Sequence, residues 1–293
     1  MKKRMPDNPT RYAAYNLTFE SDLALPEFLT DPATAASSAD VHIRYADVST
    51  LGLPDGKQIG PFLWVSKDSL WFQVPHVARF LVTNGDTILI DPEPGIDEDS
   101  IRVFLLGSAL GALLFQRGYL VMHGNAIKIG DQCMLCVGHS GTGKSTLAAG
   151  FLQRGYSILA DDVVPIDHEC HAVPGFPRIK LWQDVADRLA IETAELRRIR
   201  PSMQKFNLPL QQQFASSPLP VRWVYILTND HIDTITIDPI QGMERFRPLY
   251  NNTYRVRFLE GMALKPAHLT LCGQLAGRIR LTRITRPRSG FNL

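Results

Sequence analysis

An eight-residue segment, Gly138–Ser145, carries the residue types that bind phosphate groups. It reads Gly-His-Ser-Gly-Thr-Gly-Lys-Ser and matches every fixed position of the phosphate-loop pattern G-x-x-x-x-G-K-[ST]. In such a loop, glycines let backbone N–H groups turn toward phosphate oxygens, the lysine adds a positive charge, and the final hydroxyl binds a phosphate-bound Mg²⁺. The predicted phosphate contacts are Gly138, Ser140, Gly141, Thr142, Gly143, Lys144, Ser145 and Thr146.

Two adjacent carboxylates, Asp161 and Asp162, follow this loop along the chain. Such a pair can divide the work of phosphoryl transfer, since one group can hold Mg²⁺ while the other accepts a proton from an attacking hydroxyl. The ordinary alternative is a turn or a helix cap, where aspartate is common. With a phosphate loop upstream, we favour the catalytic interpretation.

The flanking sequence predicts the elements that bring these residues together. The apolar run over 132–137 is typical of a buried strand, and 145–154 has the apolar spacing of a helix, with Gly155 just past its end. Residues 156–160 predict a second strand that ends at the acid pair. A right-handed crossover would place the two strands parallel and near each other, with the carboxylates beside a bound nucleotide.

Three further side chains are candidates on weaker grounds. His123 follows a predicted strand over 118–122, where a satisfied core or loop histidine is an equally good explanation. Arg178 and Lys180 can neutralise a phosphate or a peptide carboxylate. Their ordinary role would be solvent exposure beside a buried Trp182, and the residues alone leave both explanations open.

The chain as a whole predicts an α/β protein in two parts. Residues 1–95 are β-rich, with a hairpin turn at Asn84-Gly85-Asp86, and residues 96–293 form the second domain. A buried helix runs from Asp97 to about Gln116. Further predictions are an exposed loop over 33–40, a helix over 184–200 with Arg198, Arg200 and Lys205 near its end, strands over 221–227, 234–237 and 279–284, and a helix within 260–275.

Composition restricts the class of protein and its partners. With 45% apolar and 20% charged residues, the chain is typical of a soluble globular protein. Its net charge of +2 is too small to indicate binding to nucleic acid or to an anionic membrane. The apolar segment 103–115 is too short to span a bilayer, and residues 1–4 do not lead into a signal peptide. Four cysteines favour reduced thiols. We predict a cytoplasmic protein without nucleic-acid or membrane partners. The sequence is compatible with a homo-oligomer.

Three other patterns have ordinary explanations. The C-x-x-C of Cys133–Cys136 lies inside a predicted strand, which favours buried packing over redox chemistry. His168, Cys170 and His171 lack a second ligand pair for zinc, which favours a loop. The basic stretch Arg278–Arg288 is predicted to be a solvated strand or tail.

Three ordered motifs closely resemble the catalytic core of bacterial HPr kinase/phosphorylase. They are Met122-His123-Gly124, the phosphate loop, and the stretch R-G-Y-S-I-L-A-D-D-V over 154–163. The resemblance covers residues 118–165, with weaker support to residue 185. It implies a kinase core of the HPr-kinase and ATP-dependent phosphoenolpyruvate carboxykinase type behind a β-rich N-terminal region. It also implies transfer of the γ-phosphate of ATP, with Mg²⁺, to a serine of a small protein.

The resemblance implies a role for each matching residue. Asp161 corresponds to the group that deprotonates the acceptor serine, and Asp162 to its neighbour near the metal and the loop. His123 corresponds to a histidine that interacts with this acid pair. Ser145 corresponds to the Mg²⁺-binding hydroxyl, so Ser145 and Asp162 are the predicted metal ligands.

One motif departs from that family. The L-E-I-R-G-L-G type of stretch linked to phosphorolysis and acceptor binding is replaced by V-P-G-F-P-R-I-K-L-W over 173–182. This stretch, with Y-N-L-T over 15–18 and Leu25-Pro26, looks more like the HPr-kinase-related proteins of lasso-peptide and other modified-peptide pathways. The resemblance therefore implies a serine kinase for a peptide or small protein, with a lasso-type precursor peptide as one candidate, and does not extend to phosphorylase activity.

Two other hypotheses remain open. The protein can be a kinase for the hydroxyl of a small metabolite, or a non-catalytic regulator that binds ATP and switches a partner surface. The pair Asp161 and Asp162 favours transfer over binding alone. ATP hydrolysis without a phosphorylated product would favour the regulator.

Overall fold

The computed structural model describes most of the chain, over residues 10–30, 38–210 and 212–288. Its contacts form two compact units, of which unit one comprises residues up to 118 with 257–265, and unit two comprises 119–256 with residues from 266 onward. The division follows Gly118 and not residue 95, because the helix after residue 95 groups with the N-terminal strands. Most of the predicted loop over 33–40 lies outside the described residues.

Unit one is built on an eight-stranded sheet. Its strands are β1 (Thr10–Ala14), β2 (Leu17–Ser21), β3 (Val41–Tyr45), β4 (Lys57–Gly60), β5 (Leu63–Val65), β6 (Ser69–Val74), β7 (Ala78–Thr83) and β8 (Thr87–Pro92). They lie in the order β1-β2-β3-β8-β7-β6-β5-β4, and β3 runs parallel to both of its neighbours. The predicted hairpin is confirmed, because Thr83 pairs with Thr87 across Asn84 and Gly85, which both have a positive φ.

A nearly continuous helix follows in unit one. It consists of α1 (Glu98–Phe104), a π-helical turn over Leu105–Ala109 and α2 (Leu110–Gln116). The side chain of Asp97 accepts a hydrogen bond from the backbone N–H of Ser100 and caps the first turn, as predicted. Every residue from 105 to 115 is buried, which agrees with the apolar pattern on all sides of the helix.

Unit two contains the phosphate loop and the acid pair. Its elements are β9 (Leu120–Ile129), β10 (Gln132–Val137), α3 (Lys144–Gln153), β11 (Ile158–Ile166), β12 (His171–Ala172), β13 (Arg178–Trp182), α4 (Gln183–Arg188), β14 (Lys205–Pro209), β15 (Leu219–Asp230), β16 (Thr236–Ile240), α5 (Phe246–Asn251), α6 (Lys265–Arg278) and β17 (Arg280–Pro287). A short 3₁₀ turn covers Gly242–Arg245, and a second, Val256–Glu260, leads from unit two into the segment 257–265 of unit one.

A seven-stranded sheet in the order β10-β9-β11-β12-β15-β17-β16 forms the centre of unit two. Because β10 also pairs with β15 in parallel, the first five strands of that order form a closed ring of paired strands. Apolar side chains pack on both faces. Leu135 joins one buried cluster, while its neighbours Met134 and Cys136 join the cluster that contains α3, as the alternation of a strand requires.

The predicted relation between the two strands beside the loop is correct in direction. Strand β9 pairs antiparallel with β10 on one side and with β11 on the other. The strands β10 and β11 therefore run parallel, but β9 lies between them. The sequence motif does not reveal this inserted strand, because β9 precedes the loop along the chain.

The predicted helix over 184–200 is wrong beyond residue 188. α4 ends at Arg188, and Ala190 follows with a left-handed φ of 51° that cannot continue the helix. Consequently no helix end gathers the basic residues: Arg198 forms an isolated bridge with Phe206, and Lys205 begins β14. The helix predicted within 260–275 begins later, at Lys265. None of the helices within the described ranges has the length and apolarity needed to cross a membrane.

Candidate active site

The phosphate-loop sequence forms the predicted connection between a strand and a helix. It leaves β10 after Val137 and enters α3 at Lys144. Gly141 and Gly143 have φ values of 84° and 98°, which favour glycine. The N-cap residue is Gly143, which has no side chain to satisfy the first N–H groups of α3. Those groups, with the positive end of the helix dipole, are therefore available to an anion.

Lys144 places its ammonium group inside this loop. Nζ donates hydrogen bonds to the carbonyl oxygens of Gly138 at 2.7 Å and His139 at 2.9 Å. Burial lowers the pKa of Lys144, and the charges of Asp162 and Asp161 oppose that shift. The loop thus combines backbone donors with a buried positive charge, which is a donor set that suits a triphosphate.

The acid pair lies within β11, where the backbone departs from strand geometry at Asp162. Its φ of 73° lies in the left-handed region, which residues other than glycine rarely adopt. Neighbouring side chains of a regular strand point to opposite faces. Here both Asp161 and Asp162 accept hydrogen bonds from Lys180 and line one cavity. The backbone at Asp162 therefore places two consecutive carboxylates on the same side.

Asp162 is held by two cationic or proton-donating side chains. Its Oδ2 accepts a hydrogen bond from Nζ of Lys180 at 2.6 Å, and its Oδ1 lies 3.2 Å from Nδ1 of His123. Burial alone would raise the pKa of Asp162, but Lys180 and His123 outweigh it and hold that pKa well below its usual range. Asp162 is therefore charged at neutral pH.

Asp161 is placed in a different environment. Its Oδ1 accepts a hydrogen bond from the amide of Asn125, and its Oδ2 accepts one from the backbone N–H of Lys180 at 2.7 Å. Burial, and then the negative charge of Asp162, raise the pKa of Asp161, while Lys180 and Arg178 oppose the rise. The two neighbouring carboxylates thus have pKa values shifted in opposite directions, which is the pattern that separates the roles of acid groups in active sites.

His123 lies within β9, and not at a strand end as the sequence predicts. Its Nδ1 lies 3.1 Å from the backbone carbonyl oxygen of Asp162 as well as near the carboxylate. Because both neighbours are acceptors, this nitrogen carries the proton. The backbone N–H of His123 donates to the carbonyl of Asn252 at 2.9 Å, and the ring of Tyr254 lies 5.7 Å away between centroids. Neither Asn252 nor Tyr254 was predicted from the sequence as part of the site.

The side chains of β13 do not have the exposure that their ordinary explanation required. Arg178 and Lys180 are buried, whereas Trp182 is 44% exposed. The guanidinium of Arg178 donates to the side chain of Asn207 and lies 4.9 Å from the centroid of the Phe176 ring. Residues 178, 180 and 182 alternate with buried apolar residues, so they share the face of the strand that looks toward the acid pair.

Arg286 on β17 is a site residue within the stretch predicted from the sequence to be a solvated strand or tail. Its Nε donates to the carbonyl oxygen of Thr142 at 3.1 Å, and its Nη2 donates to that of Gly141 at 3.3 Å. The parallel pairing of β17 with β15 carries Arg286 to this position. The basic stretch offered a signal, but the pairing partner of a C-terminal strand cannot be read from local sequence.

A cavity of about 480 Å³ joins these parts of unit two, within the size range of small-molecule sites. The predicted residues that line it are His123, Ser140, Gly141, Thr142, Gly143, Lys144, Ser145, Thr146, Asp161, Asp162 and Lys180. Further lining residues include Trp182, Lys205, Ile235 and Arg286. Gly138 and Arg178 support the site from outside the wall of this cavity.

The oxygen groups in the cavity suit a phosphate-bound Mg²⁺. The hydroxyl of Ser145 and the carboxylate of Asp162 both line it. Mg²⁺ is usually held by one or two protein ligands together with phosphate oxygens and waters. No group of three or more His, Cys, Asp or Glu side chains in the described ranges is placed to hold a metal ion. A Mg²⁺ ion on Ser145 and Asp162 would take its remaining ligands from phosphate oxygens and waters.

The cysteines and histidines for which redox or zinc chemistry was considered have structural roles. Cys133 and Cys136 are buried within β10, and burial raises the pKa of Cys136 to about 12, which makes it unreactive. The carboxylate of Asp167 accepts a hydrogen bond from the backbone N–H of His171 at 2.8 Å and closes the turn before β12. Cys170 in this turn is buried.

Comparisons with known proteins relate part of unit two to serine kinases. Residues 118–180 match the family model of the HPr Serine kinase C-terminal domain. Among solved structures, the Hpr(Ser) kinase/phosphatase from Coxiella burnetii is 12% identical over 57% of this chain and 85% of that chain, with a TM-score of 0.24. Curated proteins gave no significant match. The matched family segment contains His123, the phosphate loop, both aspartates and Lys180.

Proposed function

We propose that unit two binds Mg²⁺ and ATP and transfers the γ-phosphate to a serine hydroxyl of a peptide or small protein. The observation that carries this proposal is a single cavity lined by both the phosphate loop and an acid pair whose pKa values are shifted in opposite directions. The match of residues 118–180 to a serine kinase domain supports the same reaction class.

In this proposal the loop holds the triphosphate. The first N–H groups of α3 and the ammonium of Lys144 meet the β- and γ-phosphate oxygens, and Nζ exchanges its present carbonyl partners for them. Ser145 and Asp162 would hold Mg²⁺, which, when bound, neutralises charge on the phosphate oxygens. Lys180 and His123 keep Asp162 ionised for that task.

Asp161 accepts the proton of the attacking hydroxyl. Its raised pKa makes it a better proton acceptor than Asp162, and each of its oxygens can accept a further hydrogen bond. The hydroxyl oxygen forms a bond to the γ-phosphorus while the bond from that phosphorus to the β–γ bridging oxygen breaks. The electron pair leaves with ADP, and the proton remains on Asp161.

The identity of the acceptor rests on the sequence resemblance described above. The stretch over 173–182 supports a peptide acceptor, with a lasso-type precursor as one candidate. Phosphorylation of a metabolite hydroxyl uses the same machinery and is the second candidate. A regulator that only binds ATP is less consistent with the acid pair, because holding a nucleotide does not require a proton acceptor with a raised pKa.

The test is a transfer assay on the full chain with Mg²⁺, γ-labelled ATP and candidate precursor peptides. We expect phosphorylated peptide, and we expect Asp161→Asn to lower the rate by about 10²–10⁴-fold while calorimetry shows unchanged ATP binding. Asp187→Asn, at an exposed position of α4, is the matched control. Full transfer by Asp161→Asn would refute the base assignment. ATP hydrolysis without any phosphorylated acceptor would favour the regulator.

A further inference from the structure

Lys205 extends its ammonium over an exposed aromatic ring at the edge of the candidate site. It begins β14, opposite Trp182 on β13, and its Nζ lies 5.1 Å from the centroid of the Trp182 ring. Trp182 is 44% exposed, and both side chains line the cavity described above. An exposed indole with a lysine above it is a platform that a ligand can reach.

The charge of Lys205 is not balanced within the site. No carboxylate oxygen of the described residues lies within 4.0 Å of its amine. The two neighbouring cations on the facing strand already have partners, since Lys180 pairs with Asp162 and Arg178 donates to Asn207. Burial and the charge of Lys180 lower the pKa of Lys205, while Asp161 and Asp162 oppose this shift from a distance and Arg178 adds to it.

Lys205 comes from a different element than the cations of the phosphate loop, although its positive charge also helps to lower the pKa of Lys144. Lys144 and Arg286 donate to loop carbonyls, whereas Lys205 belongs to the β13–β14 hairpin. Along β13, Lys180 meets the acid pair, and Trp182 lies two residues farther on the same face. The β13–β14 hairpin thus brings Lys180, Trp182 and Lys205 to the cavity from a different element than the phosphate loop.

We infer that Lys205 and Trp182 form a second anion-binding site, which takes a carboxylate or phosphate group carried by the molecule that accepts the phosphoryl group. The inference rests on the proposed function and narrows its substrate to a hydroxyl compound with an acidic group near that hydroxyl. An anion bound at Lys205 would form an ion pair with a lysine that has no carboxylate partner among the described residues. It would also place the neighbouring hydroxyl toward Asp161.

The γ-phosphate of ATP is the other source of an anion here, so the experiment separates the two. The full chain is titrated with inorganic phosphate, with and without a saturating non-hydrolysable ATP analogue, and tryptophan emission is followed. Trp182→Phe identifies the signal of this residue among the four tryptophans. We expect an emission change in both states that is lost in Trp182→Phe. We expect Lys205→Met to weaken phosphate binding at least about tenfold and Lys205→Arg to retain it.

Several outcomes would overturn the inference. They are no response in the wild-type protein, an unchanged affinity in folded Lys205→Met, or loss of the response when the ATP analogue is bound. Lys144→Ala should retain the response, and its loss there would place the anion in the phosphate loop. Because the titration without nucleotide needs neither ATP binding nor transfer, failure of the proposed kinase activity would not by itself produce these results.

A second measurement uses whichever acceptor the transfer assay identifies. Lys205→Met should raise the KM for that acceptor at least about tenfold and leave the KM for ATP unchanged. Lys205→Arg should restore the acceptor KM, which a loss of packing alone would not explain. A raised KM for ATP with an unchanged acceptor KM would instead assign Lys205 to the nucleotide and overturn the inference.

Discussion

The backbone at Asp162 decides how the acid pair works. Adjacent aspartates in a regular strand would face opposite sides, whereas here φ at Asp162 is 73°, and Asp161 accepts from the backbone N–H of Lys180 while Asp162 accepts from its Nζ. The sequence predicted the pair and its importance from its position after the loop. It could not predict the backbone conformation, because only a minority of aspartates adopt the left-handed region and no local signal marks this one.

Asn125 is the residue whose substitution tests the proton acceptor most specifically. Its amide donates a hydrogen bond to Asp161, and this bond favours the ionised carboxylate. Asn125→Leu removes the donor at similar volume, so the pKa of Asp161, already raised by burial, should rise further. Activity requires ionised Asp161 and is lost as the pH falls through its pKa. The acidic limb of kcat/KM against pH should therefore move to higher pH, by about one unit.

Binding data control for a structural defect in that variant. Calorimetry at pH above the limb should give the same affinity for ATP in Asn125→Leu and the wild-type protein, since Asn125 is not among the residues that line the cavity. An acidic limb that stays in place, or that moves to lower pH, would remove Asp161 from the role of base.

At the scale of elements, the sequence predicted the units that local patterns define. The strand β10, the loop and α3 are where the apolar spacing and the glycines placed them. The insertion of β9 between β10 and β11, and the arrival of β17 beside the loop, depend on pairings between distant segments. Helix α4 is shorter than predicted, because Ala190 turns the chain where no glycine or proline signals an end.

Gly124 fixes the spacing of the strands that carry the site. It pairs with Val137 on β10 and with Asp162 on β11, and an added Cβ would lie 2.4 Å from the carbonyl oxygen of Cys136. Gly124→Ala must push β9 away from β10, so we expect it to lower the free energy of unfolding by about 1–3 kcal/mol.

Denaturant unfolding of Gly124→Ala checks this expectation. Gly273→Ala is the matched control, because an added Cβ there meets open space within α6, and alanine favours a helix by about 1 kcal/mol. Equal stabilities for Gly124→Ala and the wild-type protein would mean that β9 and β10 are not packed as closely as described.

At the scale of the whole molecule, the chain crosses between its two units more than once. The sequence predicted one boundary at residue 95, but unit one includes the helix up to Gln116 and also takes up residues 257–265. The helix looked like the start of the second domain because a turn separates it from the strands. The contacts of the helix in the folded structure assign it to unit one. Residues 257–265, far away in sequence, are assigned to the same unit in the same way.

A substitution at Gly261 tests whether residues 257–265 pack within unit one. An added Cβ at this position would lie 1.6 Å from Cγ2 of Val65, a buried residue of β5. We expect Gly261→Ala to destabilise the protein by about 1–3 kcal/mol. Val65→Ala opens the missing space, so the double variant should be more stable than the sum of the two single effects predicts, as measured by denaturant unfolding. Strict additivity would mean that the two residues are not in contact.

Calorimetry with Mg²⁺ and ATP tests the central claim most directly, since every proposed role depends on a triphosphate held by Lys144 and the loop. The wild-type protein should bind ATP, and Lys144→Ala should weaken that binding at least about tenfold, because it removes the ammonium from the loop. Lys128→Ala, at an exposed position of β9, should bind ATP like the wild-type protein. Equal affinity in Lys144→Ala, or no binding by the wild-type protein, would contradict the account.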